Sequence, residues 1–288
     1  MSKLVWLNGE VTPLEDAKVS VADHAHLYGD GLFEGIRIYD RKVFKLDEHL
    51  DRLYTGCKFM GIPMQIGKQE LKQIILDVCK QAGNDNGYIR LNVTRGIGLG
   101  LDPLNLKNVP ASVMVMCSTL ALYTAESYER GLEVITTSFR TIPPDSLDQQ
   151  LKCIGRYATH IMAKAEANRA GAGEGLMLNQ QGYVAECTGD NLFLIKDGVL
   201  RTPHPSSGIL KGITRQTVMD LARKSGTTVV EDFVTRFDIF EADEAFLTGT
   251  AAEVIPMISL DTQPIGTGKP GSLTKCLMTK FREETANG

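Results

Sequence analysis

Apolar and polar residues recur along the chain with two periods, and the places where the period changes outline its elements. The opening LVWLNGEV is an apolar run broken by Asn8-Gly9, a pair suited to a tight hairpin turn. The stretch LYGDGLFEGIRIYD follows. A strand over residues 33–39 would place Phe33, Gly35, Arg37 and Tyr39 on one face and Glu34, Ile36 and Ile38 on the other. Neither face is purely apolar. A ring, a missing side chain and a guanidinium suit a pocket wall better than a core, because glycine admits close approach to the backbone. Val43-Phe44 extends the same small sheet.

The period then lengthens to that of a helix. Leu50, Leu53, Tyr54, Cys57 and Met60 share one stripe, with Asp47 as the expected N-cap and Gly61 as the stop. Leu71, Ile74, Ile75, Val78 and Ala82 repeat the pattern before Gly83. Strands return in GYIRLNVTRG, where Ile89, Leu91 and Val93 alternate with Tyr88, Arg90 and Asn92, and in the apolar run SVMVMC. The polar ALYTAESYERG carries no strand period and reads as a linker over residues 121–131, between a first domain of residues 1–120 and a second of residues 132–288. The second begins with LEVITTS, continues through a helix over residues 157–170 ended by Gly171, and has hairpin turns at Gln181-Gly182 and Asp197-Gly198. A further helix starts after Thr214 and stops at Gly226. This alternation predicts two α/β (α+β) domains with several antiparallel strands rather than one doubly wound sheet.

Composition narrows the partners. The net charge is −4 and the basic residues are scattered among acids, so no nucleic-acid footprint or membrane-binding patch is present and a small-molecule partner is expected. Cys57, Cys79, Cys117, Cys153, Cys187 and Cys276 lie far apart, without a CxxC pair, and read as reduced thiols rather than metal ligands or a disulfide framework. With no signal-peptide run at MSKLVWLNGEV and no span-length apolar stretch, a cytoplasmic protein is expected.

Several residues could carry chemistry. Lys152, in LDQQLKCIGRYATH, is either a surface lysine or, if buried, a Schiff-base former for an aldehyde cofactor, of which pyridoxal phosphate is the usual one. Such a cofactor needs an anion site. GITR, from Gly212, opens a helix whose N–H groups could meet a phosphate, although Thr214 is equally explained as a plain N-cap. LTGTAAE, with Gly249, Thr250 and Ala251, is a small-residue turn that could donate to an anion or simply connect two elements. Glu186 is a solvated acid or a partner for a pyridine nitrogen, and Arg52 either pairs with Glu48 one turn away or reaches a phosphate.

Taken in order and spacing, YGDGLFEGIRIY, EHLDRL, YIRL, the Lys152 segment, GYVAECTGDNLFLIKDGVLRTP, GILKGITR and ADEAFLTGTAAEVIP resemble the branched-chain amino acid aminotransferases, which are fold-type-IV pyridoxal phosphate enzymes. The resemblance runs over about residues 4–281, and FEGIR with YIR is similar to that branch. D-amino acid aminotransferases and aminodeoxychorismate lyases of the same fold are the alternative. The resemblance implies a two-domain architecture with pyridoxal 5'-phosphate at the domain interface and the Schiff-base lysine, Lys152, in the second domain. It implies that Glu186 meets the pyridine nitrogen and Tyr157 the phenolic oxygen, and that Arg52, Gly212, Ile213, Thr214, Gly249 and Thr250 hold the cofactor, chiefly at its phosphate. Thr250 and Ala251, assisted by Tyr88, would bind the substrate carboxylate, while Phe33, Gly35, Arg37, Tyr28 and Arg90 would line the substrate pocket.

The implied reaction moves an amino group from leucine, isoleucine or valine to 2-oxoglutarate, in a homodimer or larger homo-oligomer. The family's Asn before the tyrosine is Arg156 here, and Ala158 after it is a second departure.

Overall fold

The computed structural model describes residues 3–119 and 122–287, and the chain folds as two compact units. Leu120 and Ala121, where the expected first domain ends and the linker begins, lie outside the described residues.

In the first unit, β1 (Leu4–Leu7) and β2 (Glu10–Pro13) form the expected hairpin, with Asn8 and Gly9 both at positive φ. Then come α1 (His24–Tyr28), β3 (Gly31–Tyr39), β4 (Lys42–Val43), α2 (Leu46–Met60), α3 (Lys68–Ala82), β5 (Gly87–Thr94) and β6 (Ser112–Ser118). The sheet is antiparallel, in the order β2-β1-β6-β5-β3-β4. One face is the core. Leu32, Ile36 and Ile38 of β3, Ile89, Leu91 and Val93 of β5, and Val115 and Cys117 of β6 are almost fully buried on it. The helices bury Leu50, Leu53, Leu71 and Ile75, and each such side chain withdrawn from water contributes about 1.5–3 kcal/mol.

The second unit contains α4 (Ala125–Arg130), β7 (Leu132–Arg140), α5 (Tyr157–Arg169), β8 (Glu174–Leu178), β9 (Val184–Cys187), β10 (Asn191–Lys196) and β11 (Val199–Pro203). It continues with α6 (Ile213–Lys224), β12 (Val229–Asp232), α7 (Arg236–Glu241), β13 (Glu244–Gly249), β14 (Glu253–Leu260), β15 (Gln263–Pro264) and α8 (Ser272–Asn287). Its mixed sheet runs β12-β11-β10-β13-β14-β7-β8-β9, with β15 beside β14. The pairs β11/β12, β14/β7 and β7/β8 are parallel. Leu176, Leu192, Leu194, Leu247 and Ile255 are among its core residues.

Four local expectations change. The N-cap of α2 is Lys45, in the left-handed region at φ 53°, because the tight turn after β4 delivers the chain there; Asp47 lies in the first helical turn, 2.7 Å from Lys72. The N-cap of α6 is Gly212, so Thr214 is already inside the helix. Within the expected linker, residues 125–130 form α4, which is capped by Thr124 and lies in the second unit.

The fourth concerns Lys152. Residues 151–156 fold with the first unit rather than the second. β4 pairs only with the last residues of β3, which leaves the first half of that edge with unpaired backbone groups. The Lys152 segment fills it. Phe33 N–H donates to the Lys152 carbonyl at 3.1 Å, Ile154 N–H to Gly31 at 2.9 Å and Gly155 N–H to Gly29 at 3.1 Å. Arg156 is buried and its Nη1 donates to the Leu151 carbonyl at 3.2 Å, closing the loop on itself, while Ala158 is exposed.

The approach depends on Gly29. A Cβ on Gly29, whose φ is +69°, would lie 2.7 Å from the Gly155 Cα. The Gly29→Ala variant is therefore expected to push the Lys152 segment off β3 and to cost at least about 1 kcal/mol in backbone strain alone. Limited proteolysis with mass mapping should find several-fold faster cleavage within residues 150–156, and an unchanged cleavage pattern would contradict this account of the docking.

Candidate active site

The face of β3 away from the core carries Phe33, Gly35 and Arg37, directly opposite Asn92, Arg90 and Tyr88 of β5. Gly35 has to lack a side chain, because a Cβ there would collide with the Tyr88 hydroxyl. Two cations share one ring. Arg90 Cζ is 4.5 Å and Lys152 Nζ 4.7 Å from the centre of Phe33, and Arg90 also lies 5.8 Å from Tyr88. Among the described residues no carboxylate pairs with Arg90. Its guanidinium rests on the aromatic faces of Phe33 and Tyr88. Arg37 stacks instead over Tyr39, at 5.1 Å.

Behind the same strand, Glu34 is fully enclosed in the core. Its Oε1 accepts from Arg52 Nε at 2.7 Å, and its Oε2 accepts from Arg52 Nη2 and from His49 Nδ1, also at 2.7 Å. Burial alone would raise its pKa, but the Arg52 charge and these hydrogen bonds outweigh it and hold Glu34 ionised, well below the usual carboxylate range. Burial, with the nearby Arg52 and Lys152 charges, pushes the His49 pKa down against the pull of Glu34, so its ring is neutral at pH 7. Arg52 thus finds its carboxylate on β3. Glu48, the partner expected one turn away, sits beside Lys45 at 3.5 Å.

In the second unit Glu186, near the end of β9, is 4% exposed. Its Oε2 accepts from Leu210 N–H at 2.8 Å and from Asn191 Nδ2 at 3.2 Å. Asn191 Nδ2 also donates to the Leu210 carbonyl at 2.9 Å, and its Oδ1 fills the place a Gly212 Cβ would need. At Gly212 α6 begins without a side-chain cap; the first backbone bond back to Gly212 comes from Gln216, so the N–H groups of Ile213 and Thr214 have no partner within the helix. The neighbour of Asn191 does the same at the other turn. Asp190 Oδ1 occupies the space beside Gly249, at the start of the Thr250-Ala251-Ala252 turn between β13 and β14. Tyr157 opens α5 with its ring 5.0 Å from His160, whose Nδ1 lies 2.9 Å from the Thr188 carbonyl.

Asp190 belongs to a second buried acid group. The Tyr123 hydroxyl lies 3.3 Å from both Asp190 Oδ2 and Glu174 Oε2, and Lys164 Nζ lies 3.2 Å from Glu174. Burial and the Glu174 charge push the Asp190 carboxyl up to about 7. A proton is therefore retained there close to neutral pH.

The sequence reading thus divides into two groups. Phe33, Gly35, Tyr88, Arg90 and Lys152 come together in the first unit, with Arg52 tied to the other face of β3 through Glu34. Tyr28 stands apart: it is 44% exposed, packs on His24 and accepts from Gly100 N–H at 3.3 Å. Glu186, Gly212, Ile213, Thr214, Gly249, Thr250 and Ala251 gather in the second unit around Asp190 and Asn191. Four contributors were not singled out from sequence: Glu34, His49, Asp190 and Asn191. Glu34 did leave a signal, since the strand period places it on the same face as Ile36 and Ile38, where an acid requires a buried cation.

The chain matches the family described as amino-transferase class IV over residues 31–260. A Methanocaldococcus jannaschii relative, provisionally named a branched-chain-amino-acid aminotransferase, is 43% identical over 97% of this chain and 95% of its own length. The Escherichia coli branched-chain amino acid aminotransferase structure superposes with a TM-score of 0.96 at 35% identity, covering 100% of this chain and 96% of that one. A third branched-chain amino acid aminotransferase, from T.th. and solved with N-(5'-phosphopyridoxyl)-L-glutamate, gives a TM-score of 0.93 at 37% identity, covering 100% and 95%.

The raised Asp190 pKa has a measurable sign. An acid that binds its proton more tightly when folded loses stability as pH rises from its unfolded value near 4 through 7, with no further loss above that. Asp190→Asn removes this loss. Thermal denaturation of the two proteins should show the variant gaining several degrees relative to the parent between pH 5 and pH 8, whereas parallel curves would refute the proton held on Asp190.

Proposed function

The chain belongs to the class IV aminotransferases and, within them, to the branched-chain amino acid aminotransferases; we propose that it uses pyridoxal 5'-phosphate to move the amino group of leucine, isoleucine or valine to 2-oxoglutarate. The observation that carries the substrate reading is Arg90, a guanidinium held by ring faces with no described carboxylate partner, at the edge of the Phe33–Gly35 wall. An apolar wall accepts a branched side chain, and a guanidinium at its margin accepts the second carboxylate of glutamate. The relative solved with a phosphopyridoxyl-glutamate adduct supports the same dual use.

The residues present fit the cofactor: a lysine amine beside Phe33, a buried carboxylate held by N–H donors, an uncapped helix N-terminus, and two glycines against which no Cβ could be placed. When bound, pyridoxal phosphate supplies an aldehyde that takes up the amino group and a ring that accepts the electrons left as the Cα–H bond breaks. Lys152 would hold the aldehyde between turnovers, and its Nζ, once displaced by the incoming amino group, would take the proton from the substrate Cα and return it during transfer. Glu186 stays anionic to hold a proton on the pyridine nitrogen. Tyr157 is assigned to the phenolic oxygen, and Arg52 with the N–H groups of Ile213, Thr214 and Thr250 to the phosphate, beside Gly212 and Gly249. The Thr250 and Ala251 N–H groups, with the Tyr88 hydroxyl, orient the substrate α-carboxylate.

Exposed apolar side chains on the first unit, Val19, Val21, Tyr28, Leu99 and Leu101, suit contact with a second copy, and the working form is a homodimer or larger. Five buried, unpaired cysteines and one exposed suit the reducing cytoplasm. Among the described residues no helix is long and apolar enough to cross a membrane.

Borohydride reduction of the purified protein, followed by peptide mass analysis, should find the cofactor on Lys152; a label on any other lysine would sink the assignment. A screen of L- and D-amino donors against 2-oxoglutarate should favour L-leucine, L-isoleucine and L-valine, and preference for D-donors would move the chain to another branch of the family. Arg90→Met is expected to raise KM for glutamate and 2-oxoglutarate roughly tenfold or more, because a desolvated carboxylate loses its partner, while KM for leucine changes little. Equal losses for both substrates in steady-state kinetics would end the dual-recognition reading.

A further inference from the structure

Glu34 stands on the buried face of β3 among Leu32, Ile36 and Ile38. A carboxylate is strongly disfavoured in such surroundings, and an apolar side chain would fill the place without that penalty. Its partners come from a single helix: His49 and Arg52 lie three residues apart on α2, on the side that meets the strand. The guanidinium is met along one edge, Nε to Oε1 and Nη2 to Oε2, both at 2.7 Å. Two bonds in one plane fix its tilt where a single bond would leave it free to swing. His49 Nδ1, donating to the same Oε2 at 2.7 Å, keeps the carboxylate from turning. The Arg52 side chain is 16% exposed against 1% for Glu34, so the guanidinium emerges from the core while its anchor does not.

We propose that Glu34 and His49 are positioning residues of the anion site, holding Arg52 by one edge so that its guanidinium is presented at a fixed tilt to a phosphate monoester. This rests on the reading of Arg52 as a ligand of the cofactor phosphate. The arrangement has a cost that makes it testable. Glu34 cancels the charge of Arg52, so if Arg52 acted only as a point charge, removing Glu34 would strengthen phosphate binding. If orientation limits affinity, removing Glu34 weakens it.

The test is equilibrium binding of pyridoxal phosphate to the full chain stripped of cofactor, followed by absorbance, with folding checked by circular dichroism. Arg52→Ala and Glu34→Gln are each expected to weaken binding roughly tenfold or more, and the double variant should bind no worse than Arg52→Ala alone, since Glu34 acts through Arg52. His49→Asn leaves the ion pair in place and should cost about threefold, a loss that disappears in the Arg52→Ala background; it decides the matter if Glu34→Gln does not fold. Unchanged or tighter binding in folded Glu34→Gln, or losses that multiply in the double variant, overturns this inference alone. A parent chain that binds no pyridoxal phosphate, or an Arg52→Ala chain that binds it as the parent does, overturns this inference together with the phosphate assignment beneath it.

Discussion

The first unit depends on an antiparallel contact three hydrogen bonds long, along the outer edge of β3. Lys152 is separated from Phe33 by more than a hundred residues, yet backbone bonds from Phe33 to Lys152, Ile154 to Gly31 and Gly155 to Gly29 fix it beside that ring. Backbone pairing is a stringent way to place a side chain, since it sets register as well as distance. It also explains why β4 is so short: a longer partner would take the edge that the lysine segment needs. With the edge taken by Lys152, one face carries Phe33, Gly35 and Arg37 and the other the buried Glu34, so every side of β3 is occupied differently.

Much of this was legible in the sequence, and the failures share a cause. The period of two over Phe33 to Tyr39, the Asn8-Gly9 turn, and the apolar stripes of α2 and α3 are local signals, and the structure carries all of them. Lys152 was assigned by chain order to the second half because no local pattern reveals an edge pairing formed across such a separation. The α4 helix was hidden for a different reason. AESYER lacks an apolar stripe, and its attachment comes from Tyr128, partly buried against the core, whose hydroxyl donates to the Ala252 carbonyl at 3.0 Å. At α2 the Asp47 cap looked sound, but a left-handed Lys45 ends the preceding turn, and that preference is not written in the lysine side chain.

In the second unit the organising residues are Asp190 and Asn191, consecutive in the chain. Each presses its side chain against a glycine, Asp190 on Gly249 and Asn191 on Gly212, and Asn191 also holds Glu186. Both turns had been read as N–H donors to an anion or as a plain cap and a plain connection. Their small residues are required as much by these neighbours as by any anion, and it is the start of α6, with no side-chain cap, that presents N–H groups lacking a partner within the helix.

The alternation on β3 has a consequence for how this protein can change. Odd positions, Phe33, Gly35 and Arg37, face away from the core, whereas Glu34, Ile36 and Ile38 are sealed in it. Variation at the first set alters what the wall contacts without opening a cavity, while variation at the second removes buried contacts worth several kcal/mol. A randomised library over this strand would therefore separate by parity, with survivors differing in preference at odd positions and nearly invariant at even ones. Under the proposed function the strand would insulate selection for new substrates from selection for folding, except at Gly35, where the Tyr88 hydroxyl closes the space and the two demands meet.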